Sequence, residues 1–312
     1  MTNLPPSRDS FGSKFGVIAA AAGSAVGLGN IWKFPYITGV FGGGAFLFVY
    51  LGFILAIGLP IMLSEFIIGR SAGRNAFGSF KKLAPGSPWR FVGLLGVGAA
   101  FMILSFYSVI AGWSIEYIYL SVTNGFANKS PDELATLFSA FTESPLKPIF
   151  YQVIFMIMTS AIVMVGVKDG IEKNVKILMP LLVLIIIILD IRAVTLEGAM
   201  DGLTFLFHPD FSKLTAEGVL SALGHAFFSL SLGMGTLITY GSYIDKQNNL
   251  LTTAIEVTTA DTVIALLAGI AIFPAVFAFG IEVDSGPGLV FITLPNVFQQ
   301  MPGGVFFASL FF

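Results

Sequence analysis

Long runs without a charged side chain alternate with short polar stretches along the 312 residues. The uncharged runs are 15–32, 34–64, 91–115, 148–167, 218–244, 262–281 and 285–312. A shorter run, 177–189, extends to about 196 if Asp190 and Arg192 sit at an interface. In lipid each backbone N–H and C=O must be satisfied within its own segment, so apolar runs of about 20 residues predict spanning helices. The pattern predicts seven, at about 15–37, 42–69, 90–121, 149–166, 172–193, 218–243 and 252–281. The Gly- and Pro-rich stretch 284–300 is expected to be a re-entrant or extracellular loop, and an eighth span begins near Pro302. The last residues, GGVFFASLFF, lie within an apolar run, which predicts a fragment of a longer protein. A seven-span protein with a buried terminus is the alternative.

Composition narrows the class. Hydrophobic residues make up 55% and charged residues 11%, against roughly 25% charged in a soluble domain. A soluble globule could not cover itself with polar groups, and disorder needs the opposite balance. The chain therefore reads as an all-α polytopic membrane protein. Residues 1–14 are polar and the first apolar run has a Gly-rich middle, so a cleavable signal is not expected, although the small residues at 19–25 imitate a cleavage site. A net charge of −2 without a basic run argues against nucleic acid as a partner. The absence of cysteine removes disulfides, thiolate metal sites and cysteine nucleophiles. With only His208 and His225, a histidine-rich metal site is also excluded. An N-terminus inside places Arg8, Lys14, Arg70, Arg74, Lys81, Lys82, Arg90, Lys168, Lys173, Lys176 and Lys246 on the cytoplasmic side, which the positive-inside rule favours.

Two spans carry glycine clusters at similar depth. The first has Gly23, Gly27 and Gly29 followed by Asn30; the sixth has Gly224, Gly233 and Gly235 with Ser229 and Ser231 among them. Each glycine costs about 1 kcal/mol relative to alanine in a helix interior. One reading is that both helices unwind there, freeing N–H groups for a carboxylate and carbonyls for a dehydrated cation. The other is close helix packing through small residues.

The strings GSAVGLGNIWKFPY (23–36), GGGAFLFVY (42–50), GLPIMLSEFIIGR (58–70), FFSLSLGMGTLITYGSY (227–243) and FITLPNVF (291–298) resemble the neurotransmitter:sodium symporter family, in particular its bacterial amino-acid transporters. The resemblance runs from Arg8 to the last residue, and family members carry eleven or twelve spans. It implies an inverted-repeat fold of the bacterial leucine transporter type with unwound first and sixth helices. The organisation expected is a cytoplasmic segment 1–14, a first five-helix repeat 15–193, an extracellular loop 194–217 and an incomplete second repeat 218–312. The implied activity is sodium-coupled amino-acid symport by alternating access across the plasma (inner) membrane, without enzymatic chemistry or an organic cofactor. A homodimer is left open.

The resemblance also implies roles. A first sodium site would use the Ala25 carbonyl, Asn30, Ser229 and Asp261. A second would use carbonyls of Gly23 and Val26, with its remaining ligands beyond Phe312. Asp261 stands where many members have Asn, so it could supply the negative charge that chloride provides in others, which predicts chloride independence. A carboxylate at a helix end facing the cytoplasm is the plainer reading of Asp261, and of Glu256. The substrate carboxylate would meet N–H groups of Leu28 and Gly29 and the hydroxyl of Tyr107, a residue that could equally be a packing tyrosine. Ser24 occupies the position where amine transporters carry Asp, which favours amino acids over monoamines. With Ala25 and Ser229 nearby, Ile103, Phe228, Ser231 and Met234 would form an apolar side-chain pocket for a neutral hydrophobic or aromatic amino acid. Gating positions are Arg8, Phe11, Lys33 and Tyr243, although Arg8 and Lys33 could be simple interface anchors. Glu65 could accept hydrogen bonds from the unwound sixth helix if its span runs deep enough.

Two alternatives remain. His225 and Ser229 are four apart on one helix face, as in a Ser–His pair of an intramembrane hydrolase, but no third group or G-x-S-x-G accompanies them. A non-transporting truncated member acting as a partner to a full-length copy is the other.

Overall fold

The computed structural model describes residues 14–282 and 288–312. Among the described residues the regular structure is helical throughout. The first run gives α1 (Lys14–Ala25), a π-helical turn at Gly29–Lys33, and α2 (Phe34–Val40). The second is continuous from α3 (Gly44–Phe53) through a π-turn at Ile54–Gly58 into α4 (Leu59–Ala72). Then come α5 (Ala76–Leu83), α6 (Arg90–Val122), α7 (Pro131–Thr142), α8 (Lys147–Val165), α9 (Lys173–Val194) and α10 (Ala199–Phe207). The sixth run splits into α11 (Ala216–Ser229) and α12 (Thr236–Gly241), and α13 (Leu250–Phe279), α14 (Leu289–Gln299) and α15 (Gly304–Phe311) follow.

Five stretches, Gly44–Ala72, Arg90–Val122, Lys147–Val165, Asp169–Val194 and Leu250–Phe279, are long and apolar enough to cross a membrane. The first and sixth predicted spans are the two that break, so neither is one long helix. The expected boundaries agree with these elements to within a few residues.

The core gathers where α1, α3, α4, α11, α12 and α13 converge, around Phe34, Phe46, Tyr50, Phe66 and Phe273, all fully enclosed. Small residues bring the backbones together, as is usual where lipid offers no hydrophobic drive. A Cβ on Gly69 of α4 would strike the Ile238 carbonyl of α12, and one on Gly241 would come within 2.8 Å of the Phe66 carbonyl oxygen. The same pair of helices is thus closed from both sides by a glycine.

The described part of the 284–300 stretch is more regular than a loop. Residues 289–299 form α14, nearly all buried, despite Pro295 within it. Its apolar residues pack under α7 and α6, with Phe291 stacked on Phe138 and edge-on to Trp113 and Tyr117. Aromatic burial outweighs the proline. The polar connections at 73–89, 123–146 and 194–217 also hold short helices that apolar-run length could not reveal. Helix α5 is capped by Asn75, whose side chain accepts from Gly78 N–H, and α7 opens with a capping box between Ser130 and Glu133.

Candidate functional site

Both glycine-rich spans break. Helix α1 stops at Ala25, and regular geometry lapses at Val26–Gly27. Helix α11 stops at Ser229, and residues 230–235 are irregular, with φ of +56° at Ser231, +78° at Gly233 and +74° at Gly235. Glycine takes such angles without strain, whereas Ser231 does not. Its hydroxyl donates to the Ser24 carbonyl at 3.0 Å, so the two breaks are tied together. Glu65 of α4 is buried and accepts the Gly233 N–H at 2.7 Å, satisfying a donor that the missing helical turn leaves over. Close packing contributes as well, since a Cβ on Gly23 would come within 2.7 Å of Val175 of α9. Gly224, in contrast, lies in regular helix with open space beside it.

Behind the breaks lies a polar cluster. Asp261 sits near the middle of α13 and is fully buried, so it is not a carboxylate at a helix end. Ser229 Oγ lies 3.0 and 2.9 Å from its two carboxylate oxygens. Asn30 Nδ2 donates to Asp261 Oδ1 at 2.8 Å and to the Asp261 carbonyl at 3.0 Å, while Asn30 Oδ1 accepts from Gly27 N–H at 3.1 Å. Three residues distant in sequence thus meet at one point. The Asp261 carboxylate and carbonyl and the Ser229 hydroxyl supply oxygens of the kind a hard cation takes, while Asn30 presents its Nδ2 to them. A flip of the Asn30 amide would turn its oxygen toward the cluster and complete an all-oxygen set, in exchange for the bond from Gly27 N–H.

In front of the breaks is a cavity of about 380 Å³. The first broken helix lines it with Gly23, Ser24, Ala25, Val26 and Gly29, α6 with Ala100, Ile103, Leu104 and Tyr107, and the second break with Phe228, Ser231, Met234 and Thr236. Ala100, Leu104 and Thr236 were not anticipated. The spacing 100, 103, 104, 107 is one face of a helix and could have pointed to the first two. Leu28 and Ser229 are not in this lining. Leu28 instead donates its N–H to the Tyr107 hydroxyl at 2.8 Å, and Ser229 faces Asp261. Having accepted that N–H, Tyr107 keeps its own proton to donate. Gly27 is obligatory here, because a Cβ would lie 2.5 Å from that hydroxyl oxygen.

Lys33 Nζ lies 4.0 Å above the Phe228 ring, a cation–π contact at the edge of the cavity. Tyr243 is in the turn after α12, away from the lining. Arg8 and Phe11 lie outside the described residues. His225 is fully enclosed, its ring 5.9 Å from Phe34 and 5.1 Å from Tyr50 by centroid, and neither of its nitrogens has a hydrogen-bond partner. Ser229 Oγ is engaged by Asp261 instead, so the Ser–His pair of the hydrolase alternative does not form.

The family model described as the sodium:neurotransmitter symporter family matches residues 8–135 and 145–312. The chain is 45% identical over 295 residues to the uncharacterized sodium-dependent transporter YhdH of Bacillus subtilis, covering 95% of this chain and 65% of that protein. It is 41% identical over 323 residues to an uncharacterized sodium-dependent transporter of Haemophilus influenzae, covering 100% of this chain and 70% of that one. Among solved structures it is similar to MhsT in complex with L-phenylalanine, at 52% identity and a TM-score of 0.94, covering 97% of this chain and 69% of the other. The chain thus spans about two thirds of the length of these relatives.

Proposed function

The chain belongs to the sodium:neurotransmitter symporter family, and from that premise we propose that it provides the substrate and first sodium sites of a symporter for neutral hydrophobic or aromatic amino acids. The observation that carries this reading is the juxtaposition of the Asp261–Ser229–Asn30 oxygen cluster with a cavity built from both broken helices. The similar MhsT structure holds L-phenylalanine, and none of the thirteen residues lining the cavity here is charged. A charged substrate side chain would be buried without a partner, at a cost that a neutral one avoids.

A substrate carboxylate would take the Tyr107 proton and the N–H at Gly29, and would reach the Leu28 N–H only by displacing its bond to Tyr107. The absence of a carboxylate at Ser24 leaves the substrate amine to be balanced by its own carboxylate, supporting amino acids over monoamines. Ile103, Phe228, Ser231 and Met234 would surround the side chain, and flexible Met234 suits aromatic rings. Sodium, held by Asp261, Ser229, Asn30 and the Ala25 carbonyl, supplies positive charge beside the substrate carboxylate. Gly23 and Val26 would give carbonyls to a second sodium. The fixed charge of Asp261 supports chloride independence. Lys33 over Phe228 supports an outer gate, and Arg8, Phe11 and Tyr243 an inner one. The distribution of basic residues supports a plasma-membrane protein with its N-terminus in the cytoplasm.

The test is sodium-dependent binding of radiolabelled L-phenylalanine to the purified protein, with competitors. Leucine, phenylalanine and tryptophan should displace the label, and lysine and glutamate should not. Replacing chloride by gluconate should leave binding unchanged. Displacement by lysine or glutamate in preference to leucine would overturn the substrate class.

A further inference from the structure

Glu116 lies in α6 under two turns from its C-terminal end and is only 6% exposed. It lines a cleft of about 420 Å³ between α6, α7 and the start of α8, whose other charged residues are Lys129, Glu133 and Lys147. It also lines an adjoining hollow of about 490 Å³ that shares Lys147 and adds Tyr119, Leu146, Phe150 and Tyr151. A carboxylate and an ammonium group therefore stand at the boundary of two mainly apolar cavities, the first holding more of the charged side chains.

No close ion pair joins these charges among the described residues. The ion pairs among the described residues, Lys176–Glu172 and Lys213–Asp210, lie elsewhere. Glu133 is engaged with the Ser130 N–H at 2.7 Å. The Tyr151 side chain hydrogen-bonds Glu116, and the Lys129 charge acts on Glu133. Glu116 keeps its negative charge and further acceptor positions, with Lys129 and Lys147 as the cations around the same space. Helix α8, meanwhile, has no buried residue, and Leu146, Ile149, Phe150 and Val153 are each more than half exposed. Below them Val153, Met156, Ile157, Ala161 and Met164 line a shallow groove along the same helix.

We propose that this junction seats one phospholipid whose headgroup pairs a primary ammonium with a phosphate, the phosphatidylethanolamine class. Glu116 receives the ammonium, Lys147 and Lys129 receive the phosphate, and an acyl chain follows the apolar stripe of α8. Charge complementarity selects this occupant. A phosphatidylglycerol headgroup leaves Glu116 without a cation. A choline headgroup carries the charge but no N–H to donate. A free zwitterion would satisfy the charges and leave the α8 stripe unused.

The test is lipid binding to delipidated protein by native mass spectrometry, using matched acyl chains. Phosphatidylethanolamine, its N-methyl and N,N-dimethyl derivatives, phosphatidylcholine and phosphatidylglycerol would be compared. Affinity should fall stepwise with methylation, by about tenfold or more across the series, as charge-assisted hydrogen bonds are lost. Glu116→Gln should abolish the preference for ethanolamine over choline and glycerol headgroups. Lys147→Gln should weaken ethanolamine and glycerol lipids alike. Equal binding across the methylation series in the unaltered protein would overturn the proposal, independently of how the variants fold. So would a Glu116→Gln protein that keeps the preference, or chain-free glycerophosphoethanolamine competing as well as the lipid.

Discussion

Replacing Asp261 by Asn removes one negative charge from the buried cluster and leaves its shape nearly unchanged. The variant can still accept at Oδ1, the atom that meets Asn30 Nδ2 at 2.8 Å and Ser229 Oγ at 3.0 Å in the present arrangement. The difference is therefore chiefly electrostatic. Opposite unit charges about 4 Å apart at an effective dielectric near 20 attract by about 4 kcal/mol. Desolvation of the carboxylate offsets part of that gain. At about 1.4 kcal/mol per decade, a loss of one to three decades in sodium affinity is expected. The assay is equilibrium binding of labelled phenylalanine over a sodium titration, in chloride and in gluconate. Half-saturating sodium should rise at least tenfold, and chloride should partly restore binding in the variant while leaving the unaltered protein indifferent. Recovery of full binding at high sodium shows that the variant is folded. A sodium midpoint within twofold of the original, together with continued indifference to chloride, would refute the placement of a cation beside this carboxylate.

Tyr107→Phe removes the hydroxyl that accepts from Leu28 N–H and that would donate to a carboxylate; phenylalanine affinity should fall roughly tenfold, and isothermal titration showing less than a twofold change would contradict the assigned role. Gly69→Ala forces α4 away from the Ile238 carbonyl and should cost about 1–3 kcal/mol, seen as a lower Tm, while Gly52→Ala, with nothing within 4 Å of the new Cβ, should not lower it. The hydrogen bond from Ser130 N–H holds the Glu133 carboxyl below the usual glutamate range. A lowered pKa means that the cap contributes above the ordinary value, about 4.3, and is lost as pH falls through the depressed one. Hydrogen exchange at the first amides of α7 should show that loss in the unaltered protein and not in Glu133→Gln.

The parts of the site legible in the sequence were those carried by unusual residues in an apolar setting. Glycines 23, 27, 233 and 235 and the ionisable Glu65 and Asp261 are costly in a spanning helix, so each required a reason, and the structure places them at or against the two breaks. Residues of ordinary type escaped notice. Ala100, Leu104 and Thr236 line the cavity, but alanine, leucine and threonine in a membrane helix carry no signal of their own. Leu28 shows the opposite limit, because only the fold reveals that Tyr107 has already taken its N–H. Helix α14 was missed because Pro295 and the preceding glycines outweighed the apolar residues between them. Its helicity rests on tertiary burial against Phe138, Trp113 and Tyr117, and such contacts are absent from a local pattern. Helix α5 was hidden by its lysines, since a short amphipathic segment looks like a charged loop when only apolar length is scored.

A fixed carboxylate near the middle of α13 would also couple the proposed carrier to the membrane voltage. On the proposed cycle, a sodium ion bound at Asp261 travels as a neutral pair, whereas the unloaded carrier returns with the bare negative charge. Membrane voltage would then act on the return limb, at up to about 2.3 kcal/mol per elementary charge for each 100 mV traversed. A potential negative inside drives such a charge outward, toward the side where the next sodium waits. The resting potential of the cell would thereby set how fast the carrier resets, without any change in the affinity of the site for its amino acid.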